Sequence, residues 1–195
     1  MRRRRKLIGP VLSCLMATGI AVGPASPAHA EVHNPQGYMH LKNFEGRSCM
    51  MADGNTAAVQ QWRCLNAPSE EWAQVPVSIS GGGTTHFLFA SHWTTMCAAV
   101  PGYPASGTKV VQLPCDVNDV RQYWLPEFLR NVGVGEVGIV YRFRSLLGSL
   151  CLEIPDGNGT QGVQLQVRGC ASQDPGFDPL GTFDYHREQW WYYVY

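Results

Sequence analysis

Six cysteines carry the most legible chemistry in this sequence. They are Cys49, Cys64, Cys97, Cys115, Cys151 and Cys170. Thiols can hold metal, attack substrate or oxidise in pairs. Metal binding is not expected, because there is no Cys-x-x-Cys and none of His33, His40, His86, His92 and His186 stands at ligand spacing. Catalytic signatures are missing too. There is no Gly-x-Ser-x-Gly, no His-Glu-x-x-His and no phosphate-binding loop. No cofactor and no enzymatic activity are therefore expected. Oxidation in pairs remains, and it depends on the compartment.

The N-terminus points to export. Arg2, Arg3, Arg4, Arg5 and Lys6 make a basic start, an apolar stretch follows over residues 7–22, and Ala28-His29-Ala30 supplies a small-x-small cleavage pattern. Residues 1–30 thus read as a signal peptide, and the protein as secreted and extracellular. The apolar stretch falls short of the roughly 20 residues a spanning helix needs, so no membrane span is expected. A lipobox at Val11-Leu12-Ser13-Cys14 would leave a very short apolar segment ahead of it. The leader takes with it Cys14, the seventh cysteine, leaving an even six. It also takes five of the fifteen basic residues and none of the fifteen acidic ones. The remaining chain is mildly acidic, which argues against nucleic acid or anionic lipid as partner.

Residues 31–195 read as one all-β domain, with no long helical period and many short apolar runs between turn residues. Ser80-Gly81-Gly82-Gly83 and Asn131-Val132-Gly133-Val134-Gly135 look like linkers. They divide the chain into three repeats, approximately 37–79, 84–130 and 138–195. Each opens on an aromatic, apolar strand: Tyr38-Met39-His40-Leu41, His86-Phe87-Leu88-Phe89 and Val140-Tyr141-Arg142-Phe143. Each then has a cysteine, a glycine-containing turn, an apolar run with glutamine, a second cysteine and a closing tryptophan (Trp72, Trp124, Trp191). The order of landmarks recurs three times, which is evidence for triplication. The two cysteines of a repeat are 15, 18 and 19 positions apart. Two short strands joined by a turn would bring them together, so the expected disulfides are Cys49–Cys64, Cys97–Cys115 and Cys151–Cys170.

This order of cysteine, glycine turn, Gln-x-aromatic-x-Cys and Gln-x-Trp resembles the ricin-B, or R-type, lectin family, known also from secreted actinomycete carbohydrate-binding modules. The resemblance covers nearly all of residues 37–195. It implies a β-trefoil of three repeats, a six-stranded barrel capped by three hairpins, with Trp72, Trp124 and Trp191 in the core. It also implies glycan or polysaccharide binding. In the family an aromatic ring two residues before the second cysteine packs on a pyranose. An Asp two residues after the first cysteine accepts from its hydroxyls. An Asn-Gln pair adds orientation.

No repeat here keeps the full set. In the first, Trp62 fits the ring position, but Met51 replaces the Asp and Glu70 the Gln. Asp53 stands close by, although Asp-Gly-Asn is also a common turn. In the second, Ala99 replaces the Asp and Leu113 the ring, and only Gln122 remains. In the third, Glu153 stands for Asp and Gln189 is present, but Arg168 replaces the ring and Glu188 the Asn. The candidate sugar contacts are therefore Trp62, Asp53, Glu153 and Gln189. By the same resemblance Asp116, Asp119 and Glu127 fall on surface turns and are expected to be solvated.

The third repeat has an insertion. Its second cysteine lies 21 positions before the closing tryptophan, against 8 and 9 in the others. Residues 172–185 include Phe177, Asp178, Phe183, Asp184 and Tyr185, and a loop this long is often functional. Two functions follow: a degenerate lectin-like carbohydrate binder, or a protein-binding trefoil such as a toxin's receptor-binding subunit or an inhibitor of a secreted hydrolase. The insertion would serve the second.

Overall fold

A computed structural model describes residues 37–78, 85–134, 137–171 and 187–194. The leader, the glycine-rich 80–83 stretch and the 172–185 insertion lie outside the described residues.

The described chain is almost wholly β. The first repeat gives β1 (Tyr38–Asn43), β2 (Ser48–Ala52), β3 (Val59–Arg63) and β4 (Glu71–Ser78). The second gives β5 (Thr85–Ser91), β6 (Met96–Ala99), β7 (Thr108–Lys109), β8 (Val111–Pro114) and β9 (Trp124–Val134). The third gives β10 (Val137–Ser145), β11 (Leu150–Glu153), β12 (Gln166–Gly169) and β13 (Trp191–Val194). One turn of 3-10 helix precedes each closing tryptophan: Pro68–Glu70, Val120–Gln122 and Arg187–Gln189.

The first and last strands of the repeats close a ring. β1 pairs with β4, β4 with β5, β5 with β9, β9 with β10, β10 with β13, and β13 with β1, all antiparallel. Closure leaves no barrel edge exposed to aggregation. The remaining strands form three hairpins: β2–β3, β6–β8 and β11–β12. Alternation explains why β1 is a strand. Met39, Leu41 and Asn43 point inward and Tyr38, His40 and Lys42 outward.

The 131–135 stretch, linker-like by composition, is strand over most of its length. Residues 131–134 continue β9, paired to β10 at Ile139↔Asn131 and Val137↔Val134. Pairing with β10 along this stretch outweighs the cost of Gly133 in an extended strand.

The core repeats with the threefold order. Leu41, Phe89 and Phe143 stand at equivalent positions, as do Val59, Val110 and Leu165, and Trp72, Trp124 and Trp191, and all nine are fully buried. Each tryptophan contributes a few kcal/mol by burial. Each also satisfies its indole N–H. Trp72 donates to the Met50 carbonyl at 2.9 Å, Trp124 to Ala98 at 3.0 Å and Trp191 to Leu152 at 3.2 Å. In every repeat the acceptor follows the first cysteine. Disulfides join Cys49 to Cys64, Cys97 to Cys115 and Cys151 to Cys170, so each ties one hairpin at its base.

Glutamine side chains fasten neighbouring repeats. Gln112 is buried and donates to the carbonyls of Asp53 (2.9 Å), Thr56 (3.3 Å) and Ala58 (3.0 Å), which form the tip of the first hairpin. Gln61 holds the third repeat in the same way, through the carbonyls of Asn158 and Thr160. Both glutamines stand three residues before their second cysteine, where the third repeat has Val167.

Candidate functional site

The first hairpin presents Met51, Gln60 and Trp62 on its outer face, all half-buried, while Val59 and Gln61 point inward. Trp62 stands opposite Cys49 in the ladder, near the hairpin base. The Cζ3 edge of its ring approaches Gly162 of the third repeat, where an added Cβ would come within 3.0 Å of Cζ3. Gly162 also has a left-handed φ of +79°, which favours glycine there on backbone grounds alone. The third repeat thus abuts the ring at its edge, and Trp62 stays half-buried.

Asp53 sits at the other end of the same hairpin. Its carboxylate accepts from the Thr56 hydroxyl at 2.6 Å and the Asn55 backbone N–H at 2.9 Å, with Gln60 Nε2 at 3.4 Å. The Thr56 hydroxyl, and after it the Asn55 N–H, hold the acid below its ordinary value. Asp53 is therefore both a turn residue and a fixed, ionised acceptor on the surface.

Glu153 and Gln189 are brought together elsewhere, away from the surface. Both are fully buried. Glu153 accepts from Gln166 Nε2 at 2.7 Å and from Gln189 Nε2 at 3.0 Å. Arg168, half exposed, reaches one Glu153 oxygen at 3.8 Å. In the second repeat Ala99 is buried and Leu113 half-buried, so no polar acceptor or ring replaces the missing pair.

The Gln-x-Trp position has a structural task in every repeat. Glu70, Gln122 and Gln189 are buried, and the side-chain oxygen of each accepts the backbone N–H that follows the second cysteine: Leu65, Asp116 and Ala171. The amide group of Gln122 also donates to Pro114, and that of Gln189 to Gly169. These bonds tie the hairpin base to the 3-10 turn.

Two of the acids expected to be solvated are not. Glu127 lies in β9 and is gripped by Arg142 at 2.6 Å and Arg144 at 2.6 Å, with Arg142 itself buried. Burial pushes the Glu127 carboxyl up, but the hydrogen bonds from Arg144 and Arg142 outweigh it and leave it lowered. Asp119 caps the second 3-10 turn through the Arg121 N–H and pairs with the Arg121 side chain at 2.8 Å. Asp116 is exposed, as expected.

Trp93 carries no motif and has no place in the family's sugar recipe. It sits in the turn after β5 and is 60% exposed. Its indole lies against Gly54, so a side chain there would collide with it. A separate open groove of about 510 Å³ lies beside the first disulfide, lined by His40, Lys42, Asn66 and Tyr193 among others. None of the four nominated residues lines it. Among the described residues no cluster of His, Cys, Asp or Glu could hold a metal ion, and no helix is long and apolar enough to cross a membrane.

A closed six-stranded barrel with three hairpins is shared with known structures. ThreeFoil, a designed protein of threefold symmetry, matches with a TM-score of 0.61 at 13% identity, over 81% of this chain and 98% of that one. This chain is a β-trefoil. The ricin B-like lectin of Macrolepiota procera, solved in complex with lactose, has the same trefoil at a TM-score of 0.55 and 13% identity, over 80% of this chain and 93% of that one. The trefoil also matches the cytolethal distending toxin of Haemophilus ducreyi, with a TM-score of 0.54 and 14% identity over 82% and 84% of the two chains. At these identities the likeness is one of fold. No family model matches the sequence, and no curated protein matches it either.

Proposed function

We propose that this chain is an exported, non-catalytic carbohydrate-binding protein, and that the outer face of its first hairpin contacts the sugar. The observation that carries this reading is Trp62. The three closing tryptophans are entirely buried, whereas Trp62 is half-buried on the outer face of the hairpin and meets Gly162 only at a ring edge. An indole so placed suits the apolar face of a pyranose. A neutral sugar fits best, because Asp53, the fixed acid on the same hairpin, is an acceptor for hydroxyls rather than a partner for an anion.

The trefoil shared with a lactose-bound lectin supports the ligand class. Glu153 and Gln189 add nothing to the surface, since they are buried and bonded to each other. One ring and one acceptor at opposite ends of a hairpin make a shallow site. Its Kd is on the order of 1 mM, or about −4 kcal/mol, so useful retention depends on a polymeric ligand. Export is supported by three disulfides, which persist in oxidising compartments, and by the basic, apolar leader. A glycan array and polysaccharide pull-downs at high protein concentration test the reading. Failure to retain the protein on any glycan would end it.

A second reading is a protein-binding trefoil. The lack of both ring and acceptor in the second repeat favours it, as does the shared fold of a bacterial toxin component. On this reading the 172–185 insertion, which lies outside the described residues, would carry the contact. Deleting that segment should then abolish capture of a protein partner from culture medium, and unchanged capture would count against it.

A further inference from the structure

We infer that Trp93 and the 53–55 turn form a second saccharide platform, built across the boundary between the first and second repeats. The inference rests on the carbohydrate-binding reading and adds to it a ligand longer than one sugar.

Three observations place Trp93 with that turn. Its indole packs against Gly54, between the fixed carboxylate of Asp53 and the exposed Asn55. The next residue, Thr94, donates its hydroxyl to Gln112 Oε1 at 2.5 Å. The amide of that same Gln112 holds the Asp53, Thr56 and Ala58 carbonyls. One buried side chain therefore sets the Trp93 turn and the Asp53 turn relative to each other. The platform is preorganised, so a ligand need not order it on binding.

The exposure of Trp93 is otherwise a cost. An indole that is 60% exposed leaves apolar surface in water. The residue opposite it is a glycine whose φ is not left-handed, so backbone geometry does not require glycine there. What glycine supplies at position 54 is room for the ring. A pyranose stacked on the indole would have the carboxylate of Asp53 and the amide of Asn55 beside it to accept from and donate to its hydroxyls.

Trp62 lies four residues, about 14 Å at strand spacing, from Ala58, whose carbonyl accepts the Asp53 N–H at the hairpin tip. A single pyranose cannot bridge that, so a ligand occupying both rings would have to be an oligosaccharide. Two weak contacts on one chain raise apparent affinity without any new interaction.

The test uses the full secreted protein and a panel of soluble polysaccharides: galactan, xylan, β-glucan and mannan. Affinity electrophoresis picks the best binder, and titration calorimetry compares it with the parent, Trp62→Ala, Trp93→Ala, Trp93→Phe and Gly54→Ala. Trp93→Ala and Gly54→Ala should each weaken binding about fivefold, with Trp93→Phe closer to the parent and melting temperatures unchanged. If the parent binds and both Trp93→Ala and Gly54→Ala bind within about twofold of it, the platform is overturned and the Trp62 site stands. If the parent binds none of the four, the carbohydrate reading falls, and this inference with it.

Discussion

Gln189 donates to a carboxylate oxygen of Glu153 at 3.0 Å, inside a region where neither side chain touches solvent. Gln166 donates to the other oxygen at 2.7 Å. Two glutamine amides thus converge on one acid. Replacing Glu153 by Gln would set an amide nitrogen against one of those donors. The expected loss of stability is about 1–3 kcal/mol, read from a urea melt. Any glycan affinity should stay at the parent's value in the folded fraction, and a drop in affinity without a drop in stability would place Glu153 at the ligand instead.

Glu127 gives the protein an acid-sensitive joint. Its carboxyl is lowered below the ordinary 4.5 because two arginines outweigh its burial. A depressed acid contributes stability above its unfolded pKa and loses it as pH falls through the folded one. Stability of the parent should therefore decline below about pH 4.5. Glu127→Gln should cost about 3 kcal/mol at neutral pH by leaving buried Arg142 without its anion, and should flatten the acid limb. A variant with the parent's acid profile would show that the pair is not the source.

Gln112 makes three bonds to the first hairpin and one to Thr94. Gln112→Ala should loosen the first hairpin tip from the second repeat. Hydrogen exchange at residues 53–58 should quicken, and global stability should fall by about 2 kcal/mol. Unchanged exchange at that tip would mean that the hairpin is held by its own strands alone.

The three disulfides close loops of 15, 18 and 19 residues within single repeats. In the chain-entropy model each is worth about 3 kcal/mol. Non-reduced peptide mapping of the secreted protein should recover these pairs and no free thiol. A bridge between repeats would contradict the threefold order, and reduction that left the melting temperature in place would contradict the energetics.

Much of the fold was legible because its landmarks are local and repeated. Cysteine spacing, the glycine turns and the closing tryptophans each recur three times, and the resemblance they carry implied the ring of barrel strands. The site was less legible, because exposure is decided between repeats. Glu153 holds the position of a surface acid, yet Gln166 from β12 and Gln189 from beyond the hairpin enclose it. Trp93 looks like any turn residue until Gly54, from another repeat, is seen against its Nε1 edge. Glu127 looks solvated until Arg142 and Arg144 arrive from β10. The glycines and valines of 131–135 look like a linker by composition, but a long ladder with β10 makes most of them strand.

The central claim is that Trp62 on the first hairpin contacts a glycan. Its most direct test is calorimetric titration of the parent and of Trp62→Ala with the polysaccharide that retains the parent best. The parent should bind measurably and the variant about tenfold more weakly, which corresponds to about 1.4 kcal/mol, at a melting temperature close to the parent's. Equal binding by the two proteins, or a variant that loses melting temperature but no affinity, would contradict it.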